Sequence, residues 1–446
     1  MAARLFHDSQ YDWSRTVDSF WETGRRALAP VNAPALSGDE AADVAIIGGG
    51  YCGLSAAYHL ARAGIDACVL EAGDIGWGAS GRNGGFCCTG ASWLGPEELI
   101  DAYGESEMLA FYRAQIDAVR LVGVLAAEER IDIARQGDGI WTFAHKAKRF
   151  SDFASHVAVM ARLGVPARTL SAREFEATAF ACSEQFGAQF EPTGFGLNPL
   201  AYCLGLARAA RARGARLHAR SRVTAWRQEG DVHRLVTAGG SVRAKRVVVA
   251  ANGWLPEDLH PAFVGRVLPL LSNIITTRPL SDDELRAQAW KTQAPASNTR
   301  NRLAYLRMLP DRRLLFGGRG DTSGRPAGGA AMKKLLTRRM GEMFPAFAGV
   351  EVTHSWRGFI AATTRLTPAV GELPDDPSVS FAFGCHGNGV AFMTWAGREL
   401  ALRIAGTAGA LPAPLRGLPD PFPLPSLRLW QLRLLLLRAW FEDEFR

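Results

Sequence analysis

The stretch DVAIIGGGYCGLSAAYHLARAGIDACVLEAG, residues 43–73, decides the fold. Asp43 to Ile47 is a short apolar run of strand type, Tyr51 to Ala63 carries apolar residues at helical spacing and is closed by Gly64, and Ala67 to Glu71 reads as a second strand. Between first strand and helix, Gly48, Gly50 and Gly53 form G-x-G-x-x-G. The first glycine permits the tight turn, the second admits a pyrophosphate to the backbone, and the third lets helix and strand approach closely. Phosphate belongs on the helix N-terminus, where backbone N–H groups lack partners. Glu71 follows about 20 residues later, where a carboxylate accepts hydrogen bonds from the adenosine ribose and repels a 2′-phosphate. Strand, turn, helix, strand and acid together predict a dinucleotide-binding unit.

Working outward, residues 1–42 form a polar N-terminal arm ending in a Pro/Ala/Ser/Gly-rich stretch. From about Gly90 to Gly187 the chain is helix-forming and rich in charge, as in PEELIDAYGESEMLAFYRAQIDAVRLVGVLAAEE, and reads as an insertion leaving the cofactor sheet. PLAYCLGLARAARARGARL, a helix, then leads to the strand-like LHARSRVTAW and SVRAKRVVVAANGW. A second excursion carries the strands LSNIITTRPL and RRLLFGGRGD before a last glycine-rich block from Trp356 to Gly406. The expected fold is α/β (α+β overall): a Rossmann-like unit of residues 43–90, 196–262 and 355–406, interleaved with a substrate unit of residues 91–195 and 263–354 on a mainly antiparallel sheet. Residues 407–446 are a C-terminal tail. Its apolar side chains lie all round the helix, with Arg428, Arg433 and Arg438 stepping around it, so packing against the protein is expected in preference to membrane contact.

The chain has 446 residues, is 48% hydrophobic and carries a net charge of +7, nearly all of its cations arginine. That length suits two domains. The basic residues are scattered with no aromatic-interleaved run, so nucleic acid is not the expected partner. Seven cysteines without zinc-like spacing point to neither a disulfide framework nor a metal, and no metal ligand set is expected. The N-terminus lacks an apolar core of signal-peptide type and no stretch has the length of a membrane span, so the expected location is the cytoplasm.

Beyond the ribose acid comes GWGASGRNGGF, residues 76–86. With this block the sequence resembles the D-amino-acid-oxidase-like (DAO) superfamily of flavoproteins, and within it the gamma-glutamylputrescine-oxidase-like branch. The resemblance implies FAD. By it, Ser80 and Arg82 hold pyrophosphate and ribityl oxygens, Asn83 belongs to the same turn, and Gly84 and Gly85 let the backbone approach the isoalloxazine ring. Tyr51, Cys52 and Ala72 join the glycine turn and Glu71 as cofactor contacts. Val223, in the strand after GARLHARS, contacts adenine, and Ala251 in VVVAANGW approaches the cofactor. FGCHGNGVAFMTWAGRELA resembles the family's C-terminal motif: Gly387, Asn388, Gly389 and Val390 open a helix whose positive end points at the flavin pyrimidine edge, and Gly358 flanks the same site. His386 is either a proton-handling group near the ring or hydrogen-bonded scaffolding, and Cys385 is read as a small buried hydrophobe.

On the substrate side, glycine-oxidase-like proteins place an arginine on the substrate carboxylate through W-x-G-x-R. Here Trp356-Arg357-Gly358-Phe359-Ile360 ends in isoleucine. His386, Tyr305 and Arg365 are the candidate catalytic residues, with Arg319 a further candidate for the pocket. The resemblance implies oxidation of a small amine by hydride transfer to flavin N5, giving an imine and then a carbonyl product, with oxygen or another electron acceptor taking the electrons. Two alternatives stay open: a 2-hydroxy acid or amine dehydrogenase serving a quinone or partner protein, and a flavin-binding protein without catalysis.

Overall fold

The computed structural model describes residues 4–445. Residues 1–3 of the expected arm and residue 446 of the expected tail lie outside them. The strand Glu40–Ile47 is the centre of an eight-stranded sheet, with Ala67–Leu70 and then Arg216–His218 parallel on one side and Gly240–Val249 and Val379–Phe383 parallel on the other. Ala369–Glu372 closes that edge antiparallel, and the hairpin Ala225–Glu229/Val232–Thr237 hangs from strand 240–249. Val44 and Ile46 point into a helix layer made by Tyr51–Arg62, Pro199–Ala212 and Gly389–Ile404, while Ala45 and Ile47 point into a core on the opposite face. Burial on both faces is why the strand reads as an unbroken apolar run instead of an alternation.

The second eight-stranded sheet runs Val352–Ala362, Leu268–Pro279, Arg313–Arg319, Ala304–Met308, Ala296–Asn298, Ile140–Phe143, Ala188–Glu191, Arg168–Leu170. Every pairing is antiparallel except that between 296–298 and 140–143. Two details depart from the sequence reading. Strand Val352–Ala362 pairs along its length with Leu268–Pro279, so residues 355–362 belong by hydrogen bonding to this second sheet and not to the cofactor sheet. The helices Pro96–Tyr103 and Glu105–Glu128, read as leaving the cofactor unit, bury Leu99, Phe111, Val122 and Leu125 in the same core as Val44 and helix Gly389–Ile404. Their apolar stripes match that helix layer, a long-range pairing that local pattern does not reveal.

The C-terminal helix Arg428–Phe445 docks beside Leu268–Leu271. Leu432 is buried there, Arg428 pairs with Glu257 at 2.7 Å, and Asp443 accepts the backbone N–H groups of Asn301 and Arg302 at 2.7 and 2.9 Å. Its outer side leaves Trp430, Leu434 and Leu437 exposed. Among the described residues no helix is long and apolar enough to cross a membrane.

Candidate active site

A cavity of about 1230 Å³ runs from the C-terminal ends of the cofactor strands to the inner face of the second sheet. Its first end is the glycine turn. Gly48 has φ of +112°, and a Cβ there would meet the Ala250 carbonyl. A Cβ on Gly50 would stand 2.8 Å from Ser80 Oγ, and one on Gly53 would overlap the Gly48 carbonyl oxygen. Gly53 therefore acts behind the cavity wall, fixing helix to strand. Glu71 stands half-buried just past its strand: one carboxylate oxygen accepts the Gly49 N–H at 2.6 Å and the other the Gly73 N–H at 2.9 Å. Burial raises its pKa, and these N–H groups work against that shift. Ala72 lines the wall beside it. Val223 also lines the cavity, but from the turn between strands 216–218 and 225–229 and not from within a strand, which leaves its main chain out of the ladder.

The next segment folds on itself. Tyr51 donates its N–H to Ser80 Oγ (3.1 Å) and its hydroxyl lies 2.8 Å from the Ser80 carbonyl. Asn83 spends its side chain on the turn, its Nδ2 reaching the Ala79 carbonyl at 3.0 Å and its Oδ1 accepting the Gly85 N–H at 2.8 Å. Gly85 lies behind the wall at φ +73°, where a Cβ would overlap the Leu197 carbonyl oxygen. Gly84 faces the cavity, with Phe86 and Tyr305 3.1 Å from where its Cβ would be. Arg82 is 5% exposed, stacks 4.0 Å over Trp77, donates Nε to the Trp77 carbonyl and has a buried Nη2 without a partner. Desolvation pulls its pKa down to about 9. A buried guanidinium with an unused donor beside a glycine cradle fits a pyrophosphate, and the cavity continues past it from Glu71 to Tyr305.

At the middle of the cavity, helix Gly389–Ile404 begins without a side-chain cap, presenting Gly387, Asn388, Gly389 and Val390. Such an N-terminus offers unpaired N–H groups and a positive dipole end to negative charge developing on a flavin. Asn388 Nδ2 donates to the Gly90 carbonyl at 2.6 Å, pinning this turn to the loop after Phe86–Cys88. Cys52 and Cys385 line the same region; burial pushes the Cys52 thiol up to about 12 and raises that of Cys385. Both are thiols at neutral pH. Ala251 and Gly358 complete the wall, Gly358 standing where a Cβ would touch Arg82.

His386 lines the cavity at 1% exposure and φ +52°. Its Nε2 accepts the Thr363 N–H at 3.3 Å, and desolvation lowers its pKa to about 3. Burial favours its neutral imidazole, and the other ring nitrogen, Nδ1, is buried without a partner, so both readings of His386 stay open. Tyr305 sits at the substrate end with its hydroxyl 2.7 Å from Ser272 Oγ, and burial raises its pKa. Arg319 stacks 4.6 Å over Trp93, with burial lowering its pKa to about 10. Arg365 is not in the cavity wall. Its Nη1 and Nη2 donate to the carbonyls of Arg416, Pro368 and Leu415, tying a loop to the tail, so Arg365 stands apart from the cavity and, contrary to the sequence expectation, is not placed to act as a catalytic residue there. Ile360 does line the cavity, and Arg357 turns away to Asp321 at 2.5 Å.

Sequence reasoning missed two sets of lining residues. Phe6, Tyr11 and Trp13 of the arm fold over the cavity, with Trp13 under Arg222 at 4.4 Å. Only the density of aromatics in an otherwise polar arm signals this. Gln189, Glu191, Thr142 and His156 line the far end. Elsewhere, Glu40, Cys68 and His218 approach one another within 4.8 Å, but Arg216 already pairs with Glu40 and burial pushes the Cys68 thiol up to about 12.

A mainly parallel sheet with a glycine turn, a carboxylate just past its second strand, a buried guanidinium beside a glycine cradle and a second helix N-terminus, set over a mainly antiparallel sheet, is the arrangement of an FAD-dependent oxidoreductase. The chain belongs to the DAO family, FAD dependent oxidoreductase, whose model matches residues 43–403. It is 33% identical to a probable oxidoreductase OrdL of Rhizobium meliloti, over 83% of this chain and 85% of that protein. It is 30% identical to gamma-glutamylputrescine oxidoreductase of Escherichia coli, over 91% and 93%. Among solved structures, glycine oxidase of Geobacillus kaustophilus superposes with a TM-score of 0.69 at 22% identity, over 83% of this chain and 96% of that one.

Proposed function

We propose that the protein oxidises the C–N bond of a small primary or secondary amine, including amines derived from amino acids. The observation that carries this reading is the substrate end of the cavity, where Tyr305, Ser272, Arg319 and the backbone of Gly84 converge beside Phe86. FAD, held by the glycine turn, Glu71, Ser80 and Arg82, supplies the acceptor for a hydride from the amine's α C–H. A neutral amine needs no strong base to release that hydride, so the chain contributes orientation, exclusion of water and charge stabilisation. The amine loses a hydride from carbon and a proton from nitrogen. Water then hydrolyses the imine to the carbonyl product, releasing ammonia from a primary amine or the smaller amine from a secondary one, and oxygen, receiving two electrons and two protons, leaves as hydrogen peroxide. Tyr305 and Ser272 offer paired hydroxyls to orient the amine, and the start of helix Gly389–Ile404 faces the place where negative charge develops. The amine-acting relatives named above support the same chemistry.

The test is anaerobic titration of the FAD-loaded protein with amines, amino acids and 2-hydroxy acids. Bleaching of the flavin band by amines, followed by peroxide release on admitting air, is the expected result. Bleaching by hydroxy acids alone overturns the amine reading, and amine bleaching without peroxide assigns the electrons to another acceptor.

A further inference from the structure

We propose that Glu191, together with Thr89, His156 and Gln189, forms a subsite for a second, protonated amino group of the substrate, so that the preferred substrate is a diamine-type molecule and not a monoamine. The proposal rests on the amine reading above and names the substrate class of that site.

Period-two alternation puts Gln189 and Glu191 on one face of strand Ala188–Glu191, and the register Ile140↔Glu191 and Thr142↔Gln189 sets two further cavity residues beside them. The Glu191 side chain is 7% exposed. It accepts a hydrogen bond from Thr89 Oγ1 at 2.9 Å and lies 3.0 Å from His156 Nε2. Among the described residues no arginine or lysine pairs with it. A buried carboxylate whose neighbours are a hydroxyl and an imidazole, with no permanently charged cation beside it, is costly unless something in the cavity adds to their compensation. Gln189 supplies the second, independent sign: its Oε1 is buried, without a partner, and on the same wall. A carboxylate, an unused amide oxygen and the Thr142 hydroxyl together are a set of acceptors suited to an ammonium group with three donors.

The placement relative to the reacting centre is equally specific. Tyr305, opposite Gly84, belongs to strand Ala304–Met308, and Glu191 lies three strands further along the sheet, roughly 14 Å between backbones at ordinary strand spacing. An amine held at Tyr305 and Ser272 therefore leaves room for an alkyl chain whose other end reaches Glu191. Arg319 lies on the other side of Tyr305, so the cavity presents opposite charge at its two ends. That polarity sets which way a dication enters.

The experiment compares the FAD-loaded wild type with Glu191→Gln on a series of 1-aminoalkanes and α,ω-diaminoalkanes of matched length, reading the ratio of kcat/KM for diamine over monoamine. The expected wild-type ratio is roughly 30 or more, the worth of one buried charge pair, carried by KM. In Glu191→Gln it collapses towards one; Gln keeps an acceptor for Thr89, and FAD content and Tm verify the fold. Gln189→Leu lowers the ratio less. A wild-type ratio near one overturns the proposal, as does a Glu191→Gln variant that loses kcat equally on both series, since that places the carboxylate at the reacting amine. If no amine is oxidised the reading of the reaction fails, and the subsite is read by equilibrium binding. Perturbation of the flavin spectrum by a diaminoalkane in the wild type but not in Glu191→Gln then supports it, and no binding to the wild type overturns it.

Discussion

Arg82 stacks 4.0 Å over the Trp77 ring and donates its Nε to the same residue's carbonyl at 2.6 Å, so one residue fixes both the plane and the direction of a guanidinium whose Nη2 has no protein partner. The cation is pre-oriented for an anion that the polypeptide does not supply. Replacing Arg82 with Met keeps the stacking volume and removes a buried charge while leaving the Trp77 carbonyl without its Nε donor, two opposed effects, so the apoprotein is expected to change little in stability. Binding of FAD loses a charge-assisted contact of about 1.5–3 kcal/mol, a roughly 10- to 150-fold weaker Kd. The measurement is Tm with and without FAD. The gain in Tm on adding FAD shrinks in Arg82→Met while the apo value changes little. An unchanged gain places the pyrophosphate elsewhere.

The Tyr305 ring stands 3.1 Å from where a Cβ on Gly84 would be, and burial holds its phenol protonated throughout the neutral range. In the proposed reaction it orients the amine and does not abstract a proton. Tyr305→Phe is expected to lower kcat/KM by roughly 10- to 100-fold through the lost hydroxyl pair with Ser272. The pH profile keeps its shape, and FAD content is retained. Loss of the alkaline limb of the profile in Tyr305→Phe would show that the phenol is a base.

His386 gives a prediction about acid stability. Its pKa falls from 6.5 in the unfolded chain to about 3 in the fold because burial disfavours the imidazolium. Below pH 6.5 the unfolded state binds a proton that the native state refuses until about pH 3. Stability is therefore whole above pH 6.5 and is lost as the pH falls through that window, at up to about 1.4 kcal/mol per pH unit. His386→Asn suits the φ of +52°, since asparagine tolerates the left-handed region. Denaturation midpoints at pH 7 and pH 5 are expected to differ less in the variant than in the wild type. An equal difference in both removes His386 from the acid sensitivity of the fold.

The sequence carried the cofactor half of the molecule because dinucleotide binding is local: Gly48, Gly50, Gly53 and Glu71 act within one strand-turn-helix-strand unit, and their spacing is their geometry. The strands of the second sheet were also legible, from β-rich segments such as LSNIITTRPL. What was not legible depends on contacts between distant segments. Arg365 looked like a pocket residue because an arginine near a glycine-rich block is chemically attractive, and only the fold shows it spent on the carbonyls of Leu415 and Arg416. Glu191 attracted no notice because its meaning comes from Thr89, about a hundred positions earlier, and His156. Trp13 and Tyr11 sat in an arm with no periodic pattern.

The C-terminal helix is held at its far end by Asp443, whose two carboxylate oxygens accept the N–H groups of Asn301 and Arg302, and at its near end by Arg428 on Glu257. Between these anchors Leu432 covers the outer side of strand Leu268–Pro279, whose Ser272 reaches Tyr305. Asp443→Ala leaves two N–H groups of a tight turn without acceptors, a loss of about 1–3 kcal/mol. A multi-unit chain does not report such a loss as one clean Tm, so amide hydrogen exchange is the apt measurement. Exchange at Asn301 and Arg302 is expected to quicken by roughly 5- to 150-fold, the same energy read as an opening equilibrium. Exchange along Glu40–Ile47 stays as in the wild type, because that strand shares no hydrogen bonds with the tail. Equal acceleration in both places would mean that the helix supports the whole molecule instead of clamping the substrate sheet.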